Sequence, residues 1–213
     1  MALSKVNFNS MNVTPSASKA IKFNSSNDGL ETGDFGGSLV LISTTTASNS
    51  ATVSITSGID STYKEYIIKI INLHPQTDNQ DFRFNLSADG GSNYNVTKSS
   101  VFYNAFHNEG GSDNSLNYVA GSDLAQSTDF QRLFGVGGDN DQNSCATLQL
   151  FEPSSTTFVK YFLFTGNDGD PGDYSINRIA AGYGNTTSAI NAIQFKFDSG
   201  NIESGIFKLY GVT

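Results

Sequence analysis

The sequence has little of what catalytic, metal-binding and disulfide-bonded proteins need. Its 213 residues include no tryptophan, one cysteine, two histidines and four prolines, and only 15% are charged. The lone Cys145 excludes an internal disulfide, and its apolar neighbours favour a small, partly buried side chain in a strand. His74 and His107 lack the cysteine or carboxylate spacing of a zinc site, and no Gly-x-Ser-x-Gly motif or phosphate-binding glycine loop occurs. We therefore expect a protein that is not an enzyme.

The charge balance is acidic and argues against two classes of partner. Twenty Asp and Glu against twelve Lys and Arg give a formal charge of −8. Such a chain is repelled by phosphate backbones, and no basic cluster offsets the repulsion, so we expect no nucleic-acid partner. The longest apolar run, residues 66–71, is too short for a membrane span. The first residues lack a basic and then apolar secretory signal, so we expect synthesis in a reducing cytoplasm and no membrane partner.

What the sequence has in abundance is strand and turn formers. Phenylalanine and tyrosine number 16 and 9, and from Ser38 onward short apolar segments alternate with Gly, Asn and Asp turns. Period-two alternation is clearest at residues 193–197, where Ile193, Phe195 and Phe197 share a face. Only residues 116–126 are compatible with a short helix. The pattern predicts an all-β, antiparallel β-sandwich with strands near residues 39–43, 51–56, 63–73, 81–87, 96–104, 130–136, 146–151, 158–165, 176–183, 190–197 and 206–212.

Two of these strands are apolar on both faces, which a sheet with one solvated face does not explain. In residues 63–73 and 158–165 both alternating sets contain several aliphatic or aromatic residues, and Leu73 falls in the set opposite Tyr66. Either these strands are central and covered on both sides, or a loop, the N-terminal segment or another subunit buries their outer faces. The residues predicted to contact another subunit are Ile67, Ile71, Val159 and Tyr161.

The first 35 residues differ in composition from the rest and predict a separate element. Their short apolar segments contain too few residues to form a core. We expect an extended N-terminal arm over residues 1–35, or alternatively a disordered leader, followed by a single sandwich domain over residues 36–213. The apolar residues of the arm that are predicted to contact a partner are Val6, Phe8, Ile21 and Phe23.

Two further groups of side chains are candidate ligand contacts. Asp168, Asp170 and Asp173 fall in a Gly/Pro-rich segment and form a weak candidate calcium loop, since Ca²⁺ prefers several oxygen ligands. Asp, Asn and Gly are also ordinary turn residues, so a turn without metal is the alternative, and no cofactor is otherwise expected. Tyrosines in loops are candidate contacts for a glycan: Tyr94, Tyr103, Tyr118 and Tyr174.

The C-terminal segment carries a family resemblance. Residues 185–190 (Asn-Thr-Thr-Ser-Ala-Ile), 193–197 (Ile-Gln-Phe-Lys-Phe) and 205–211 (Gly-x-x-Lys-Leu-Tyr-Gly) resemble the C-terminal strands of structural proteins of tailed bacteriophages, particularly those of marine bacteria and cyanobacteria. Further similar stretches are residues 5–9, 19–25, 57–66 and 153–158. The resemblance implies a jelly-roll-like sandwich in the virion, assembled as a homo-oligomer, often a trimer. It transfers no functional residues.

Three functions follow as hypotheses. The first is a capsid decoration (cement) protein, in which the arm contacts the major capsid protein and many copies bridge neighbouring capsid subunits. The second is a tail-fibre or tail-tip protein that binds a host surface glycan. The third is a glycan-active or calcium-dependent carbohydrate-binding domain, for which the chain offers few paired carboxylates. The copy number in purified virions would separate the first from the second.

Overall fold

The computed structural model describes residues 13–14, 19–33 and 38–213, and in these ranges it is all-β. None of the described residues forms a helix long and apolar enough to cross a membrane. The chain divides into two compact units, residues 1–38 and 39–213. In the first unit, β1 (Ala20–Phe23) and β2 (Leu30–Gly33) pair as an antiparallel hairpin. The described part of the predicted arm is thus folded back on itself, and the proposed contacts Val6 and Phe8 lie outside the described residues.

The second unit contains twelve strands in two antiparallel sheets. The small sheet has the order β4-β13-β6-β9 and the large sheet the order β3-β14-β5-β10-β11-β12-β7-β8. The strands are β3 (Leu39–Ser50), β4 (Val53–Ile55), β5 (Glu65–Pro75), β6 (Gln80–Ser87), β7 (Lys98–Asn108), β8 (Asn114–Tyr118), β9 (Gln131–Val136), β10 (Ser144–Phe151), β11 (Lys160–Asp170), β12 (Tyr174–Gly184), β13 (Ala192–Phe197) and β14 (Ile202–Val212). The predicted antiparallel β-sandwich is confirmed.

The connectivity is that of a jelly roll with additions. Strands β4 to β10 and β13 switch sheets at each step except between β7 and β8, which are neighbours in the large sheet, so each sheet receives four of them. The hairpin β11–β12 is inserted into the large sheet between β10 and β7, while β14 and β3 extend the opposite edge. These additions make the large sheet twice as wide as the small one. Part of its inner face therefore extends beyond the small sheet.

The core between the sheets is built largely from phenylalanine. Alternation in β13 points Ile193, Phe195 and Phe197 inward, as the sequence predicts, and all three are buried. The rings of Phe82 and Phe195, on paired strands, stack in parallel with centroids 5.8 Å apart. Burial of several such rings supplies much of the apolar stabilisation of the sandwich.

Each of the eleven predicted strands overlaps an observed strand, but two details differ. The helix considered for residues 116–126 is wrong, because residues 114–118 form the edge strand β8 paired with β7. Leu73 is fully buried on the core side with Tyr66, instead of on the opposite face. The cause is Asn72, whose φ of 51° marks an irregularity at which β5 shifts register against β10 and β14 and the alternation changes sides.

Candidate functional site

The outer face of the large sheet is unusually apolar in its central strands. In β11 the inward residues Phe162 and Phe164 are buried, whereas the outward residues Tyr161 and Leu163 are 57% and 38% exposed. This confirms the sequence observation that the strand has two apolar faces. The outer set stays partly exposed in the described fold.

The strand register aligns these outward residues with others of the same kind. Leu163 lies opposite Ala181, and Ala181 lies opposite Val101. Tyr161 lies opposite Tyr183, with ring centroids 5.9 Å apart. Continued across the remaining strands, the two rows form a surface that we name the outer band: Leu39, Leu41, Ile67, Val101, Phe151, Tyr161, Leu163, Ala181, Tyr183, Tyr210 and Val212.

The outer band has a polar border along one side. Lys69 and Lys208 lie opposite each other in the next row, which continues through Thr147 and Thr165. The band interior contains one charged residue, Glu65, whose carboxylate accepts a hydrogen bond from Gln149 at 3.1 Å. The outer band is therefore an apolar strip with a polar row along one side.

The four residues predicted to contact another subunit all lie on this side of the sheet. Ile67 and Tyr161 belong to the outer band itself. Val159 lies just before β11 and, with Phe158 and Tyr161, lines a groove of about 500 Å³ at the end of the band. Ile71 shares the face but lies opposite Ile206, beyond the lysine row.

A second surface lies on the inner side of the large sheet, where the small sheet ends. Strand β9 is the edge of the small sheet and packs over β11 and β12. Beyond it, the inner faces of β12 and β7 carry Arg178 opposite Asn104 and Ile176 opposite Phe106. They form one wall of a cleft of about 290 Å³, here named the end cleft, lined by Asn104, Phe106, Asp113, Arg132, Asp170, Tyr174, Ile176 and Arg178.

A buried ion pair anchors the end cleft. Arg178 donates from Nε to Asp168 Oδ1 at 2.8 Å and from Nη2 to Asp168 Oδ2 at 2.9 Å, and the two side chains are 5% and 0% exposed. Burial raises the pKa of Asp168 to about 6, although the bonds from Arg178 act in the opposite direction. The second carboxylate near this arginine, Asp170, is 3.8 Å from Nη2.

Arg132 brings a second guanidinium into the end cleft from β9. Its Nη1 donates to Ser122 Oγ at 3.1 Å, and its Nε lies 2.8 Å from Asp81 Oδ1. Burial lowers the pKa of Arg132, and Asp81 opposes this effect. A β-carbon at Gly135 would lie 2.8 Å from Arg132 Nη2 and 3.5 Å from Arg178 Nη2, so a larger residue at this position would require the end of the Arg132 side chain to move.

The predicted glycan-contact tyrosines do not form a single site. Tyr174 lines the end cleft, where its hydroxyl donates to Asp113 Oδ2 at 3.0 Å and this bond raises its pKa. Tyr103 and Tyr118 lie opposite each other on β7 and β8, and both are exposed. Tyr94 is half-buried in the loop after β6.

The candidate calcium loop has a different structure from the one expected. Strand β11 continues to Asp170, so Asp168 is a core-facing strand residue whose two oxygens are bonded to Arg178. Asp173, with φ of 60°, closes the three-residue hairpin turn to β12. In the described part of the chain, no group of three His, Cys, Asp or Glu residues is arranged to hold a metal ion.

Sequence reasoning missed the central residues of the end cleft: Asn104, Arg132 and Arg178. One signal was available for Arg178, because it has the same strand parity as Ile176 and Ala180 and therefore had to face the core side. A charge at such a position requires a buried partner. No comparable signal marks Asn104 or Arg132.

In the first unit, the predicted contact residues Ile21 and Phe23 lie on β1 and are 39% and 71% exposed. Comparison of the chain with protein-family models, curated proteins and solved structures finds no match.

Proposed function

We propose that the protein is a non-enzymatic structural component of a tailed-phage virion that assembles with copies of itself through the outer band. The observation that carries the proposal is the band itself. Its two adjacent rows cross the large sheet, are apolar except for Glu65, Gln149 and Ser99, and contain no basic residue. Monomeric proteins rarely expose so many adjacent apolar residues on one solvated sheet face, and such a patch commonly marks an interaction surface.

The charge distribution favours a second copy of the chain as the partner that covers the outer band. Each chain carries a formal charge of −8, so two copies repel each other unless they meet through a face that holds few acidic groups. The outer band contains only Glu65, already hydrogen-bonded to Gln149, and its border carries Lys69 and Lys208. Contact through this face therefore buries apolar area with little charge repulsion.

The virion role itself rests on the resemblance of the C-terminal strands and on the jelly-roll connectivity, a fold common among capsid proteins. Capsid decoration is the form we favour, because the chain combines one sandwich with exposed apolar residues, Ile21 and Phe23, in its N-terminal unit. In that role the sandwich joins its copies to one another, and the N-terminal unit contacts the capsid.

A charge placed in the band tests self-assembly. Leu163→Asp is expected to shift the purified protein from oligomer to monomer in light scattering coupled to gel filtration. Asn167→Asp is the matched control, since Asn167 is exposed on the same face of the same strand but two rows away from Leu163. A monomeric wild-type protein, or equal oligomers for both variants, would overturn assembly through the band.

Quantitative mass spectrometry of purified virions tests the location separately. Hundreds of copies per particle are expected for a decoration protein, and a handful would instead support the tail-fibre alternative. The glycan-binding part of that alternative is favoured by one observation, the mixed aromatic and polar lining of the end cleft. Absence from the virion would contradict both forms.

A further inference from the structure

The end cleft contains hydrogen-bonding groups that the fold does not use. Asn104 Oδ1 is buried and has no hydrogen-bond partner among the described residues. A buried acceptor left unpaired in this way is destabilising, and native proteins seldom contain one without a reason. On the neighbouring strand Arg178 uses Nε and Nη2 for Asp168, and Arg132 uses Nη1 for Ser122. Arg178 Nη1 and Arg132 Nη2 remain as donors for a bound molecule.

These unused groups define what a ligand must offer. Asn104 Oδ1 needs a donor, and the two guanidinium groups need acceptors, so the same ligand must donate and accept within a short distance. Hydroxyl groups do both. A carboxylate or a phosphodiester would satisfy the arginines but has no proton for Asn104 at neutral pH.

The charge of the lining also disfavours an anion. Arg132 and Arg178 are balanced by Asp113 and Asp170 in the same wall, so the lining has no net charge. Asp168 and Asp81, which pair with Arg178 and Arg132 outside the lining, add further negative charge next to the cleft. A neutral ligand avoids both the desolvation and the repulsion that an anion would meet here.

The remaining wall of the cleft is apolar and aromatic. Phe106 and Tyr174 meet edge to face with centroids 5.5 Å apart, and Ile176 lies opposite Phe106. Such a surface packs against the C–H groups of a sugar ring while the polar groups bind its hydroxyls. The volume of about 290 Å³ lies at the lower limit of about 300 Å³ for small-molecule pockets, which suits one sugar residue.

We propose that the end cleft is a binding site for a neutral pyranose unit of a carbohydrate, with Asn104, Arg132 and Arg178 as hydroxyl contacts and Phe106 as the apolar platform. The site goes beyond the assembly role and does not depend on it, since it lies on the inner side of the sheet that carries the outer band on its outer side. It also differs from the four tyrosines predicted from sequence, of which only Tyr174 contributes to it.

Titration of the ¹⁵N-labelled protein with the methyl glycosides of glucose, galactose, mannose and N-acetylglucosamine tests the site. At least one glycoside is expected to shift the backbone amide of Gly135, which adjoins both guanidinium groups, but not that of Thr165 on the outer face. Inorganic phosphate is titrated in parallel. No shift of Gly135 with any glycoside, or a shift with phosphate alone, would overturn the proposal.

Substitutions in the end cleft test which side chains contact the sugar. Asn104→Leu is expected to weaken binding of the responding glycoside roughly tenfold, the loss of about one hydrogen bond. Tyr103→Leu is the matched control, because Tyr103 is the preceding residue of β7 and points to the outer face. If Asn104→Leu fails to fold, Phe106→Leu serves as the second variant. Unchanged affinity in a folded Asn104→Leu or Phe106→Leu protein would contradict the assignment.

Discussion

The inner face of the large sheet changes character along single strands, from apolar under the small sheet to charged beyond it. In β11 the inward residues Phe162 and Phe164 lie in the phenylalanine core, and Asp168 continues the same face toward the hairpin turn. In β12 Ala180 lies in the core, and Arg178, two residues earlier and nearer the hairpin turn, points to the same side. Between the two regions Gly166 makes room for the ring of Phe134, since a β-carbon there would lie 2.6 Å from Phe134 Cζ.

The comparison shows that the inserted hairpin β11–β12 serves two purposes. One half of its inner face extends the hydrophobic core, and the other half holds an ion pair and forms a wall of the end cleft. The other walls of the end cleft come from β7 and β9, so the hairpin completes a site to which the eight jelly-roll strands also contribute. Four stability experiments compare buried and exposed positions of the large sheet.

The largest effect is expected from breaking the buried ion pair. Asp168→Asn leaves the Arg178 guanidinium buried without its counter-charge and should lower the free energy of unfolding by about 3–5 kcal/mol. Urea denaturation measures the loss. Asp170→Asn is the control, and it should lose less than about 1 kcal/mol because Asp170 is 3.8 Å from Arg178 and partly exposed. Equal losses in the two variants would show that the pair is not a distinct structural feature.

Replacing both partners should be far less harmful than replacing one. In the double variant Asp168→Leu with Arg178→Met, no charge is left buried, so stability should return to within about 1–2 kcal/mol of wild type. A double-mutant cycle in urea gives the coupling between the two residues. Losses that simply add would indicate that the charged region cannot be converted into core.

Lys98 is a buried lysine that forms no ion pair within 4 Å in the described part of the chain, although Asp129 acts on it from a greater distance. Its Nζ donates to Asn85 Oδ1 at 2.5 Å and to Val96 O at 2.7 Å, and burial lowers its pKa to about 7. Between pH 7 and about 10.4 the unfolded chain therefore binds the proton and the folded protein does not, so this residue makes stability rise with pH, by up to about 1.4 kcal/mol per pH unit. Below pH 7 both states are protonated and its contribution is constant.

Lys98→Met should abolish that slope, because methionine does not titrate. The measurement is the difference in unfolding free energy between the two proteins from pH 6 to pH 10, which removes the contribution of all other groups. A difference that does not change with pH would show that the folded-state pKa of Lys98 is close to that of the unfolded chain.

The smallest effect on stability is expected on the outer band. Leu163→Ser should change the unfolding free energy of the monomer by no more than about 0.5 kcal/mol, because Leu163 is exposed. Its neighbour Phe164 is the comparison on the opposite face, where Phe164→Ala should lose about 3–5 kcal/mol. Measurements at dilutions where the protein is monomeric are required. A loss above 2 kcal/mol for Leu163→Ser would mean that the outer face is covered within a single chain.

Much of the fold was predictable because period-two alternation survives in the sequence wherever a strand has a core side. The strand at residues 193–197 and the two apolar faces of residues 158–165 are examples, and both are found as predicted. Prediction failed where a backbone irregularity intervenes. The backbone irregularity at Asn72 places Leu73 on the core face, and no side-chain pattern in the sequence predicts that shift.

The candidate sites were less predictable than the fold. Subunit contacts such as Ile67 and Tyr161 could be proposed because an apolar residue on a second face is visible in the sequence. The cleft residues could not, since Asn104, Arg132 and Arg178 come from strands that are far apart in the chain and adjacent only through the sheet order. The acidic segment at residues 168–173 was interpreted as one loop, yet Asp168 belongs to a strand and pairs inward.

By itself the sequence determined the fold class, the strands and the apolar outer faces, because these follow from local alternation and turn chemistry. Only the tertiary structure decided where the large sheet extends beyond the small one, and hence which polar side chains meet in a cleft. The physical reason is that sheet order and overhang arise from contacts between distant segments. These contacts decide whether an inward residue meets the apolar core, as Phe164 does, or a buried counter-charge, as Asp168 does.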